Sequence, residues 1–292
     1  MFEYKYSGKF PFDFEEIKKS NILVSGTNQQ GKSLCAMLIS DVLLRNYPDT
    51  WQIIVFDNVG HWKRKSSIPY YQVVNENSLR FVLPSSSIIF DISLLLPSYQ
   101  KEFVENVLND LWQIRVTKEH NHWCLIAFEE FQLYAKNIRG NVSQNILRIC
   151  SVGANYGIRT LGITPDMSLI DCAFIRLAQQ RFHFKLGNEP NAKRRFSAYY
   201  GKDWTYTARN LDVGFAIYVN KEKLKVWKIP LFISDIRPRP YFKREKKKVG
   251  LLARILGKSQ VPEYDITYGE DTWEQEDDEW TEELDSVGEM DW

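Results

Sequence analysis

Between Asn21 and Leu38 an apolar run, Ile22 to Val24, stops at Gly26. The octet Gly-Thr-Asn-Gln-Gln-Gly-Lys-Ser follows to Ser33, and an apolar face at helical spacing (Leu34, Met37, Leu38, Val42) takes over. A strand, a loop bounded by two glycines and a helix, in that order, constrain this chain more than any other stretch. The backbone N–H groups of the loop and of the helix N-terminus point at one place, where the helix dipole also favours negative charge, so the segment reads as a phosphate cradle. In such a cradle Lys32 reaches the β- and γ-phosphates of a nucleotide and the Ser33 hydroxyl binds Mg²⁺. The expected nucleotide-binding residues are Gly26, Thr27, Asn28, Gln29, Gln30, Gly31, Lys32, Ser33 and Leu34. An ordinary strand-to-helix turn that happened to contain glycine would lack these flanks.

A loop of this kind needs a parallel sheet behind it, and the rest of the chain supplies the strands. Trp51 to Asp57 is a continuous apolar run closing on a carboxylate, followed by Asn58-Val-Gly60. Runs of this type belong to strands buried on both faces. Ser87 to Ile92 is a second such run, after a polar stretch with no readable periodicity, and Ser98 to Lys118 repeats apolar residues (Phe103, Val107, Leu111, Ile114) as an amphipathic crossover helix does. His122 to Phe128 then closes on Glu129 and Glu130. Two carboxylates at a strand end suit the second nucleotide motif, Glu129 supporting Mg²⁺ and Glu130 polarising the attacking water; the plainer reading is a buried strand with a solvated acidic end.

Further on, helices are expected near 143–155, 169–178 and 189–200, strands at 157–164 and 180–186, and a hairpin from Val213 to Ile229 turning about Asn220-Lys-Glu. Residues 1–20 read as an edge strand and a turn. Strands alternating with helices predict an α/β fold, a mostly parallel central sheet flanked by helices, over 1–235.

Past Asp235 the composition changes. Residues 237–258 hold nine basic side chains and one acidic, interrupted by Pro238 and Pro240, so 236–259 is either a solvated linker or a DNA-contacting arm. Residues 260–292 hold fourteen acidic side chains and no basic one, interleaved with Trp273, Trp280 and Trp292. The formal net charge of +1 therefore hides a body with 38 basic against 23 acidic residues. A basic body with an acidic tail points to a polyanion partner, with the tail as competitor or as docking peptide. The four cysteines, Cys35, Cys124, Cys150 and Cys172, have no metal-ligand spacing and read as buried free thiols of a reducing compartment. No apolar run reaches the ~20 residues that span a bilayer, and the N-terminus does not read as a signal peptide, so a cytoplasmic location is expected.

The order of motifs resembles the HerA–FtsK class of P-loop ATPases, which pump DNA and include genome-packaging ATPases of several virus groups. The likeness covers about Asn21 to Ile229. It rests on the phosphate loop, the strand ending Phe-Asp57-Asn-Val-Gly60, the strand ending Glu129-Glu130, the segment Ser151-Val-Gly-Ala-Asn-Tyr-Gly-Ile-Arg-Thr-Leu-Gly-Ile-Thr164, and the closing strands near Gly214. Three departures stand out. The loop interior is Asn28-Gln29-Gln30, where the family often has small residues. Glu129 stands where the family usually has Asp, its longer side chain reaching Mg²⁺ directly or through a water. Pro165 replaces the Gln that usually follows the sensor Thr, which puts efficient coupling in doubt.

The resemblance implies ATP and Mg²⁺ as cofactors, double-stranded DNA as partner and a homo-oligomeric ring, a hexamer in the family. It implies catalytic roles for Lys32 and Glu130, and an arginine finger that enters the neighbour's site. Arg148, Arg159 and Arg181 are the candidates for that finger, Arg159 and Arg181 preferred. A compact core without the long N-terminal barrel of the cellular HerA type is closer to the viral branch. The expected function is thus a DNA translocase packaging a viral or mobile-element genome, with a portal or capsid partner docked through the tail. The alternatives are a cellular HerA-like DNA-end-processing motor working with a nuclease, and a nucleotide-binding scaffold that hydrolyses little.

Overall fold

The computed structural model describes residues 14–47, 49–66, 68–74, 86–117, 122–136, 143–221 and 223–229. The basic segment 236–259, the acidic tail and residues 1–13 lie outside that set, so the expectations made for them are not addressed by it. Nine strands are present among the described residues: β1 (Ile22–Ser25), β2 (Trp51–Asp57), β3 (Tyr70–Gln72), β4 (Ile88–Asp91), β5 (Trp123–Phe128), β6 (Ile158–Thr164), β7 (Gln180–His183), β8 (Phe215–Asn220) and β9 (Lys223–Lys228). They form one sheet in the order β3-β4-β2-β5-β6-β1-β7-β8-β9. From β3 to β7 every pairing is parallel, and only β8 runs against the rest.

The helices are α1 (Lys32–Asn46), α2 (Trp62–Lys65), α3 (Pro97–Thr117), α4 (Gln144–Val152), α5 (Cys172–Leu177), α6 (Pro190–Tyr200) and α7 (Lys202–Arg209). They cover both faces of the sheet, and the alternation of each strand shows how. On β2, Trp51, Ile53 and Val55 join α1 residues such as Cys35, Met37 and Ile39 in one core. Ile54 and Phe56 join Phe103, Val107, Ile146 and Ile149 of α3 and α4 in the other. Both faces are buried, so the sequence is apolar throughout, as a doubly wound sheet requires. The second core is anchored by aromatic rings across neighbouring strands, Phe56 lying 5.8 Å from Phe90 and 5.4 Å from Phe128, with Phe103 edge-on to Phe90 at 5.2 Å.

Phe14–Lys19 is a 3-10 turn, where a turn was expected ahead of β1; Ile17 plugs the α1-side core, and the Lys18 carbonyl serves as an acceptor. The stretch without periodicity contains α2 and β3, both too short to produce any. The expected thiols are present: Cys35, Cys124 and Cys150 are buried and Cys172 half-buried, all free.

Candidate nucleotide-binding site

Because β1, β2, β4, β5 and β6 are parallel, their carboxyl ends share one edge of the sheet, where α/β folds bind ligands. Ser25, Asp57, Asp91, Glu129 and Thr164 gather there. Between β1 and α1 the chain takes two conformations that suit glycine: Gly26 at φ 145° and Gly31 at φ 101°. Space forbids a side chain at Gly26 and crowds one at Gly31. A Cβ on Gly26 would stand 2.6 Å from the Phe184 Cβ, and one on Gly31 would stand 2.9 Å from the Ile229 Cδ1. Gln29 is also left-handed, at φ 59°, so the non-glycine interior is accommodated at some backbone strain. Three backbone hydrogen bonds clamp the loop and the turn beside it: Thr27 N–H to the Lys185 carbonyl at 2.9 Å, Gly214 N–H to the Gln30 carbonyl at 3.3 Å, and Ile229 N–H to the Gly214 carbonyl at 2.9 Å.

Helix α1 starts at Lys32 with no side-chain cap and no acidic residue in its first turn. Its first N–H groups have no intrahelical partner and stay available to an anion. The Lys32 ammonium donates to the Thr27 carbonyl at 2.8 Å, folded back over the loop. Burial holds Lys32 below its ordinary basicity, opposed by the charges of Glu129 and Glu130. The Ser33 hydroxyl donates to Glu129 Oε1 at 2.5 Å. The two groups assigned to a metal from sequence thus meet, although 96 positions separate them.

Glu129 is 4% exposed, and its other oxygen accepts from the Trp62 indole N–H at 2.7 Å. Burial raises its pKa above the ordinary carboxylate range, against the hydrogen bonds from Ser33 and Trp62. Trp62 had no signal in the sequence. It is fully buried, and Asp57 places it: that carboxylate accepts from the backbone N–H groups of Val59, Gly60 and Trp62 at 3.1, 2.8 and 2.8 Å. Beside it Asp91 pairs with Lys63 at 2.8 Å. Asn58 donates to Gln100 Oε1 and to the Tyr134 hydroxyl, both at 2.7 Å, tying the turn after β2 to α3 and to the turn after β5.

Glu130 sits in the left-handed region at φ 54°, ψ 49°, a conformation that costs a non-glycine residue about 1–2 kcal/mol. The Gln132 side-chain amide donates to its carboxylate. Behind the pair, β6 presents Gly162, where a Cβ would stand 2.5 Å from the Phe131 ring. The glycine of the small-residue segment therefore makes room for the turn that holds both glutamates.

Under the loop runs a buried chain of polar contacts. The Ser25 hydroxyl lies 2.7 Å from His183 Nδ1, His183 Nε2 lies 2.8 Å from the Tyr200 hydroxyl, and Arg181 donates to that hydroxyl at 2.8 Å. Both ring nitrogens of His183 are thus engaged, one by a serine and one by a tyrosine hydroxyl. Burial, with the Arg181 charge nearby, pushes the His183 pKa down to about 3.

The arginine candidates fare differently. Arg159 is 9% exposed, lies toward the amino end of β6 away from the loop, donates to the Lys18 carbonyl through Nε at 2.8 Å and stacks on Trp123. There the guanidinium locks the 3-10 turn to the sheet. Arg181 donates to the Ala178 carbonyl at 2.6 Å and to Tyr200, so it also serves its own chain. Arg148 sits over the Trp112 ring at 4.5 Å and bonds Asn145. The Thr164 hydroxyl, where the sensor was expected, donates to the Asp166 carbonyl just beyond Pro165.

The residues present fit a nucleotide and a divalent cation. The glycine cradle, the uncapped helix and Lys32 suit the phosphates. Ser33 with Glu129 offers the small protein share of a Mg²⁺ shell, the rest of which water and phosphate oxygens fill. Among the described residues no group of three or more His, Cys, Asp or Glu side chains forms a metal cage.

The sheet order and the loop between β1 and α1 give this chain the fold of P-loop ATPase cores. Three solved structures with that architecture are the genome-packaging NTPase B204 of Sulfolobus turreted icosahedral virus 2, the DNA-packaging ATPase B204 of Sulfolobus turreted icosahedral virus, and the bacterial conjugative coupling protein TrwB. The first matches at TM-score 0.55 and 15% identity over 72% of this chain and 96% of its own. The second gives 0.55 and 16% over 72% and 97%, the third 0.54 and 9% over 76% and 86%. The first of these proteins has also been solved with ATPγS. No family model and no curated protein matches the chain.

Proposed function

We propose that this chain is an ATP-hydrolysing translocase of double-stranded DNA, working as a genome-packaging motor of a virus or mobile element within a homo-oligomeric ring. One observation above all supports the reading: the Ser33 hydroxyl and the Glu129 carboxylate converge at 2.5 Å beside Lys32, at the carboxyl edge of a sheet shared with packaging NTPases. When bound, ATP and Mg²⁺ supply the phosphoryl chain and the neutralisation of the charge that develops on it. Lys32 would bind the phosphates, Ser33 and Glu129 would hold the metal, and Trp62 keeps Glu129 aimed. Glu130, in the turn after β5, would orient the attacking water and take its proton.

A second reading, a nucleotide-binding scaffold that hydrolyses little, draws on one observation. The Thr164 hydroxyl is committed to its own chain just where Pro165 stands in place of a sensor Gln. ATP turnover and oligomeric state, measured with and without linear duplex DNA, separate the two. The motor requires a ring whose turnover rises with DNA; a ring whose turnover is negligible and indifferent to DNA selects the scaffold.

A further inference from the structure

Helices α6 and α7 stand between β7 and β8, and the surface between them is a groove of about 330 Å³ with an unusual lining. Four cations line it, Lys193, Arg194, Lys202 and Arg209, together with the Ser197 hydroxyl. No carboxylate contributes to the lining. Among the described residues none of these four cations has an ion-pair partner; Arg209 makes one long contact, 3.5 Å, to the Asn188 side-chain oxygen. Lys202, Thr205, Tyr206 and Arg209 recur at i, i+3, i+4 and i+7, so they form one stripe along ~10 Å of α7. A folded chain gains nothing from crowding four unpaired cations, since like charges at this spacing repel.

We infer that the α6–α7 groove binds the phosphate backbone of duplex DNA. The inference rests on the translocase reading and adds to it the surface that meets the DNA. The shape of the feature favours a polymer over a single phosphate: it is open, and its charge is spread along a helix instead of converging on a point. Duplex DNA carries one charge per ~1.7 Å of axis, so a stripe of this length faces several phosphates. The chain's own acidic tail is the other polyanion available. Its three tryptophans would need apolar pockets, and the groove offers only Lys and Arg stems and the exposed Tyr206 ring.

The placement also ties the groove to the nucleotide. The opposite side of α6 buries Ala192 and Phe196 and ends in Tyr200, whose hydroxyl holds His183 under the phosphate loop. The Ala208 carbonyl of α7 accepts from Leu186 N–H, one residue past the Lys185 carbonyl that clamps Thr27. One packed layer therefore separates the groove from the loop.

The test uses the full chain and the triple variant Lys193→Gln, Arg194→Gln, Lys202→Gln. None of the three touches the nucleotide site, and all are accessible enough to change without harm to folding. Binding of a short linear duplex is measured against salt concentration, and ATP affinity without DNA is measured in parallel. The expected result is a salt slope about 3 smaller in the variant, from three lost phosphate contacts, with ATP affinity unchanged. If the wild type binds duplex with a steep slope and the variant matches it, the groove is not the DNA surface, and the translocase reading stands without it. If the wild type shows no salt-dependent duplex binding, the translocase reading itself fails and this inference with it. If the variant keeps duplex binding but loses affinity for a peptide spanning 260–292, the groove belongs to the tail and the inference is overturned.

Discussion

The phosphate loop and the α6–α7 groove are both built to receive anions, and they are built in opposite ways. At the loop each charged side chain has a partner and a fixed geometry: Lys32 on a carbonyl, Glu129 between a hydroxyl and an indole. In the groove the charges are accessible and unpaired among the described residues. A preorganised, half-buried cradle recognises one anion by position, and salt screens it weakly. An open stripe of cations recognises a density of charge, and salt screens it strongly. The same ligand chemistry, a phosphate oxygen, is thus read once as geometry and once as electrostatics.

The sharpest way to break this contrast is at Lys32. Lys32→Ala should abolish ATP-dependent activity, because it removes the ammonium that the loop holds in place on the Thr27 carbonyl. Turnover assays check it, and surviving turnover would mean that the cradle works by general charge, as the groove does. Next in size, Glu130→Gln should leave nucleotide binding intact while turnover drops about 10²–10⁴-fold. If Glu129→Gln lost turnover in that way and Glu130→Gln did not, the roles of the pair would be reversed.

Trp62→Phe removes the indole N–H together with three heavy atoms of a fully buried ring. The Glu129 carboxylate then loses one of its two side-chain partners, and the Mg²⁺ needed for half-maximal turnover should rise about 10–100-fold. An unchanged Mg²⁺ titration would show that the indole is only a packing group.

The smallest effect concerns His183, which links the two regions. Its folded pKa lies near 3, whereas the unfolded side chain titrates near 6.5. Below about pH 6.5 the unfolded chain takes up a proton that the folded chain refuses, so stability falls as pH is lowered toward 3. The slope is at most about 1.4 kcal/mol per pH unit. Above about pH 6.5 His183 contributes no pH dependence. Denaturant midpoints of the wild type and of His183→Asn, compared between pH 7 and 4.5, should diverge in slope only on the acid side. Parallel curves would mean that His183 is protonated within the fold.

Much of this architecture was legible in the sequence, for reasons that particular residues show. The phosphate loop is local, every part lying within a dozen positions, so spacing alone exposed it. Strands such as Trp51–Asp57 and Trp123–Phe128 are buried on both faces and read as unbroken apolar runs. Helix α3 repeats at the helical period over 21 residues. What stayed hidden is tertiary. Nothing near Trp62 announces that its indole meets a glutamate 67 positions away. The Ser25–His183–Tyr200 chain joins residues that look unremarkable singly. Arg159 is a further case: from sequence it is an arginine near the end of a predicted element, and only the fold reveals its contacts with the Lys18 carbonyl and the Trp123 ring.

Ile229 is the last described residue of the closing hairpin, and its Cδ1 fills the space that a Cβ on Gly31 would need, while its N–H hangs on Gly214, which in turn grips the Gln30 carbonyl. The side chain that ends the hairpin therefore also walls the glycine that opens α1, so the closing strands and the phosphate loop share one packing contact.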